Sequence, residues 1–142
     1  MNAVCLMIDR LHVGYLGAYG NSWVRTPSFD RLASESVVFD QAWIDSPRLE
    51  ALYRAYWQGL HAFEPERPQG IALPAALSGQ GIRTVLMTDE PAVVRHPLAA
   101  GFQEVLELES AAAGLPAGDI ADTHLARCFA RLIERLDAVS EP

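Results

Sequence analysis

Asp9 ends the apolar run AVCLMI at 3–8, and Asp89 comes just after the apolar run IRTVLM at 82–87. In parallel sheets ligands gather at the carboxyl ends of the strands, so these two carboxylates are the first places to look for chemistry. Such a carboxylate is a hard oxygen donor, although it can equally be held by the amides of its own loop. The softer donors are dispersed. His12, His61, His96 and His124 show no His-x-x-x-His spacing, which argues against a zinc site and for surface or partly packed imidazoles. Cys5 and Cys128 lie in apolar stretches and read as small buried thiols, with no sign of a disulfide framework. All 11 basic residues are arginines, so Schiff-base, P-loop and lysine-base chemistries are excluded.

The composition fits one globular domain over residues 1–142. Half the chain is hydrophobic (50 %) and 20 % is charged, enough apolar material for a core. Its net charge of −7 repels phosphates, so no nucleic acid partner is expected. The run at 3–8 is far too short to span a membrane and lacks the basic lead of a signal peptide; a cytoplasmic protein without membrane contact is expected.

The elements that would position these groups alternate. The runs at 3–8 and 82–87 predict buried parallel strands; 37–44 and 102–108 are weaker strand candidates, the second a half-exposed edge. Thr26-Pro27 opens a short helix and Ser46-Pro47 a longer one, with Leu49, Leu52, Tyr53, Tyr56, Trp57 and Leu60 on one core-facing stripe. The aromatic members read as core, not as a ligand platform. Leu73-Pro74 begins a short helix ending near Gly79 or Gly81. Asp119 is the expected cap of a final helix with the stripe Leu125, Cys128, Phe129, Leu132, Ile133 and Leu136, acids early and arginines late. Segments 64–70 and 111–118 are loop-like. The predicted class is α/β, a three-layer sandwich with a mainly parallel sheet.

Several runs carry a resemblance. Leu16-Gly17-Ala18-Tyr19-Gly20-Asn21, then Thr26-Pro27-Ser28-Phe29-Asp30-Arg31-Leu32-Ala33, then Val37-Val38-Phe39-Asp40-Gln41-Ala42-Trp43 follow in order and spacing the forms LGxYGN, TPxxDRLA and VxFxxAY. These resemble the opening of the sulfatases, in the alkaline-phosphatase superfamily. Leu73-Pro74, Gly81-Ile82-Arg83-Thr84-Val85 and Gly101-Phe102-Gln103-Glu104 resemble later segments of the same family, so the likeness covers most of 3–108. It implies a truncated alkaline-phosphatase-like fold that lacks the later half, and an ancestry of metal-dependent sulfate or phosphate monoester hydrolysis.

Carried over position by position, the resemblance implies that this chemistry has been removed. Counting from Phe39 and back from Gly59 places the family's nucleophile, the Cys or Ser of CxPSR, at Leu49, its proline at Ala51 and its arginine at Tyr53. A rival register with Asp45 or Ser46 as nucleophile fails the downstream spacing. Asp9 matches the first metal carboxylate, but Arg10 stands where a second would be. Thr88-Asp89-Glu90-Pro91 replaces a segment that would supply a lysine and a histidine to the anion. No catalytic residue is therefore assigned. Asp9 and, more remotely, Asp89 remain as residual ligands for Ca or Mg, with no cofactor expected. The resulting expectation is an inactive sulfatase-like binding or assembly module or a truncated gene product, with a homodimer through an exposed sheet edge. The alternative is a monoester hydrolase with an unrecognised nucleophile.

Overall fold

A computed structural model describes residues 2–9, 11–64, 70–109 and 116–140, so Arg10 and most of the two expected loops lie outside the described residues. The chain divides into two compact units, Met1–Trp43 and Ile44–Pro142.

The first unit is built by the residues of the LGxYGN and TPxxD runs. Short 3-10 turns at Val13–Tyr15 and Gly17–Tyr19 precede α1, Pro27–Glu35, whose first residue is the proline that the sequence predicts there. Thr26 occupies the N-cap position without bonding the helix amides. Its hydroxyl instead accepts the Gly17 N–H at 2.8 Å and donates to Asp30 Oδ1 at 3.0 Å, tying the turn to the helix. Asn21 holds the intervening loop: its amide donates to the carbonyls of Tyr15 (2.7 Å) and Val24 (2.8 Å) and its oxygen accepts the Trp23 N–H (3.0 Å). Gly20 ends the second turn at φ 90°, a left-handed conformation that glycine adopts at no steric cost.

Neither strand expected in this unit forms. Residues 3–8 and 37–44 carry no strand, and Cys5, expected to be buried, is exposed with Val4 and Leu6. An apolar run becomes a buried strand only where a neighbour pairs its backbone and other elements cover its faces. No such neighbour is present among the described residues of this unit.

The second unit holds α2 (Leu49–Gln58), α3 (Leu73–Gly79), β1 (Val85–Thr88), α4 (Pro91–Val94), β2 (Glu104–Glu107) and α5 (His124–Ser140). β1 and β2 pair in parallel, from Val85 opposite Glu104 to Thr88 opposite Glu107. The crossover runs through α4 and a 3-10 turn at Pro97–Gly101. This mixed helix–strand arrangement is compatible with an α/β protein, and the sheet among the described residues is a two-stranded parallel one. β2 alternates as its sequence predicts, with Glu104 and Leu106 turned inward. The inward carboxylate of Glu104 accepts Arg83 Nη2 at 2.9 Å and also bonds Arg135, which fastens α5 to the strand.

The core is small: Trp57, Ala72, Val93 and Ala99, with Tyr53, Leu86, Leu98 and Phe102 packed against them. Trp57 is its centre, edge-on to Phe102 at 5.3 Å between ring centroids and 4.8 Å from Tyr53. His96 is buried here. Its Nδ1 accepts the Leu98 N–H at 3.1 Å, so Nε2 carries the proton and donates to the Glu50 carbonyl at 3.1 Å.

Several expectations about the helices need correction. Ser46 does not cap α2: the helix starts at Leu49, and the Ser46 hydroxyl accepts the Arg48 N–H at 3.2 Å in the preceding turn. The α2 stripe is only partly covered, since Trp57 is buried but Leu49 is 37 % and Tyr56 44 % exposed, because the core partners gather around one end of the stripe. Asp119 caps a separate 3-10 turn, Ile120–Asp122, by accepting the Ala121 N–H, and α5 begins after Thr123, whose hydroxyl accepts the Ala126 N–H at 3.3 Å. The first turn of α5 therefore holds no acid and its last turn no arginine. Of its stripe, Cys128, Phe129 and Leu132 are half-buried while Leu125, Ile133 and Leu136 are exposed.

Candidate functional site

Leu49 is the first residue of α2, and Gly59, at φ 65°, closes the helix by donating its N–H to Ala55. The helix thus starts and stops where the motif register puts the nucleophile and the terminal glycine. What it presents there is apolar. Leu49 has no donor, acceptor or ionisable atom in its side chain, and Tyr53 lies in the aromatic cluster with Tyr56, Trp57 and His96. The residues of the rival register are committed to the backbone: Asp45 Oδ2 accepts the Ala62 N–H at 2.6 Å, and Ser46 is buried in its turn.

The segment Thr88-Asp89-Glu90-Pro91 caps a helix. Thr88 Oγ1 accepts the Glu90 N–H at 3.1 Å, Glu90 Oε1 accepts the Ala92 N–H at 3.0 Å, and Pro91 opens α4. Asp89, as expected from the sequence, follows directly on a strand of the parallel sheet. Asp9 is exposed in a turn of the first unit and follows no strand.

Asp89 has partners that spacing alone did not assign to it. His124 Nε2 lies 2.7 Å from Asp89 Oδ2 and 3.5 Å from Cys128 Sγ, and the three donor atoms fall within 4.8 Å of one another. His124 and Cys128 stand four residues apart on α5, which brings their side chains together on one face. The capped start at Thr123 sets His124 in the first turn, above the end of β1. Burial, and then the Asp89 charge, push the Cys128 thiol above its ordinary pKa of 9.0. The sequence signal was available in the i, i+4 spacing of His124 and Cys128; a search for paired histidines passes over it.

Human arylsulfatase D is 39 % identical to this chain over 62 residues, 44 % of the chain and 10 % of that protein. Human steryl-sulfatase is 40 % identical over 58 residues, 41 % of the chain and 10 % of the relative. The dog arylsulfatase H is 58 % identical over 40 residues, 28 % of the chain and 7 % of that enzyme. The chain is related to the sulfatases over part of its length. It spans about a tenth or less of the curated sulfatases it matches. No family model matches the chain, and no solved structure does. No helix among the described residues is long and apolar enough to cross a membrane.

Proposed function

We propose that this sulfatase-related chain has no ester-hydrolase activity of its own and serves in binding or assembly. The observation that supports the reading is α2 itself: it begins at Leu49, to which the resemblance assigns the nucleophile's position, and Tyr53, to which it assigns the arginine's, lies among aromatic rings. Monoester hydrolysis needs a nucleophile together with cations that stabilise charge on the transferring group. The Glu90 carboxylate occupies the end of β1 as a helix cap, adding negative charge where an anion would have to be held.

The assembly half of the proposal rests on the sheet of the second unit and, separately, on exposed aromatic side chains of each unit. Glu104 points inward on β2 with two arginines, a device that blunts an edge, so a second copy of the chain would add its strand along β1. Trp23 and Trp43 in the first unit and Phe63 in the second are each almost 90 % exposed, apolar surface in either unit that a partner would cover.

The test is turnover of aryl sulfate and aryl phosphate by the purified chain, with Ca2+ and Mg2+ calorimetry and light scattering alongside. No turnover above background and a concentration-dependent dimer are expected. A rate well above background that disappears in Asp9→Ala would establish the hydrolase alternative. A monomer at every concentration would overturn the assembly reading.

A further inference from the structure

We propose that Asp89, His124 and Cys128 form a binding site for a zinc-like divalent cation that clips α5 to the carboxyl end of β1. The proposal is independent of the reading of Leu49 and Tyr53, since none of its three residues lies on α2.

The donor set selects the metal. An imidazole nitrogen, a thiolate and a carboxylate oxygen match the ligands of Zn2+, whereas Ca2+ and Mg2+ require oxygen cages. Three protein ligands leave a fourth position for water, and the site has access to it: the Asp89 side chain is 50 % and that of His124 31 % exposed.

The distances fit once the Asp89 carboxylate shifts: it must part from His124, and its separation from Cys128 Sγ, within 4.8 Å, must come to tetrahedral contact as well. Zn–N and Zn–O bonds of about 2.0–2.1 Å and a Zn–S bond of about 2.3 Å put tetrahedral neighbours roughly 3.3–3.5 Å apart. The His124–Cys128 separation of 3.5 Å already meets this. The His124–Asp89 separation of 2.7 Å is a hydrogen bond, and it must open by about half an ångström when a cation replaces the proton between the two atoms. A half-exposed aspartate just past a strand end has the rotamer freedom to do so. Binding converts the thiol to thiolate and releases its proton to solvent, while the single proton of the neutral His124 ring resides on Nδ1 so that the Nε2 lone pair faces the cation.

A nucleophilic Cys–His–Asp relay fits the same residues less well. In such a relay the acid orients one ring nitrogen while the other activates the thiol. Here both Asp89 and Cys128 face Nε2, an arrangement of converging ligands.

The test is calorimetric titration of the full chain with Zn2+, and with Co2+ as a spectroscopic probe. One cation per chain should bind, the Co2+ form should show sulfur-to-metal charge-transfer absorption, and excess Ca2+ or Mg2+ should not displace it. Cys128→Ser should abolish that absorption, and Cys128→Ser, His124→Gln and Asp89→Asn should each weaken binding by about tenfold or more. Cys5→Ser should leave both unchanged. Circular dichroism of each metal-free variant separates loss of a ligand from loss of the fold, and the His124→Gln and Asp89→Asn results stand if Cys128→Ser does not fold. Absence of stoichiometric binding, or binding that survives in all three variants, as at the pair formed by His61 Nδ1 and Asp45 Oδ2 3.9 Å apart, would overturn the proposal.

Discussion

Gly17 and Asp30 meet so closely that the contact exists only because residue 17 has no side chain: a Cβ there would lie 2.5 Å from Asp30 Oδ1. Thr26 completes the joint by accepting from the Gly17 amide and donating to the same Asp30 oxygen. Three positions of the LGxYGN and TPxxD runs are therefore bound together for a structural reason. In this chain the sulfatase-like LGxYGN and TPxxD runs build a turn–helix joint.

Gly17→Ala should break that joint. The methyl group must displace a carboxylate that is itself hydrogen-bonded, and overpacking of this kind costs about 1–3 kcal/mol. Hydrogen exchange by mass spectrometry should show faster exchange over residues 13–35 and little change over 85–107. Unchanged protection of the first segment would show that Asp30 can move aside freely.

Trp57→Ala and Leu49→Ala should separate sharply although the two residues share a helix stripe. Trp57 is 8 % exposed and contacts the rings of Tyr53, His96 and Phe102, so its removal should cost about 3–5 kcal/mol. Leu49 is 37 % exposed at the first turn, and its truncation should cost about 1 kcal/mol or less. Urea unfolding followed by circular dichroism measures both, and equal effects would place Leu49 in the core after all.

That contrast marks what the sequence could say. Periodicity located α1, α2, α3, β1 and β2 and put Asp89 at a strand end, because spacing and proline signals are local. It could not say which turn of α2 meets Val93 and Ala99, since that depends on the crossover between the strands. The strand expected at 3–8 needed a partner, which no property of AVCLMI supplies. The His124–Cys128 spacing was local and readable, but its meaning came from Asp89, which sits 35 residues earlier in the chain.

Glu104→Gln should loosen α5. Its Oε2 serves both Arg83 and Arg135, from opposite directions in sequence, and Arg135 Nε is buried without a partner, so the guanidinium relies on this carboxylate. The groups are partly exposed and solvent screens them, so the cost should be about 1 kcal/mol. The difference between wild type and variant should shrink as salt is raised. A salt-independent difference would assign the effect to packing.

Leu49→Cys should not create a sulfatase. The substitution places a thiol at the first turn of α2, the position proposed for the nucleophile, but Tyr53, at the position proposed for the anion-binding arginine, still offers a ring. Glu90 still turns a carboxylate to the Ala92 amide at the end of β1, and no lysine exists anywhere in the chain to replace the missing cation. A nucleophile alone gains little when the developing charge on the transferring group meets carboxylates instead of cations. The variant's rate with aryl sulfate should therefore equal that of the unmodified chain, measured with and without added Ca2+. A calcium-dependent rate that also vanishes in Leu49→Cys/Asp9→Ala would mean that Asp9 keeps a working metal and that a single residue silenced the enzyme.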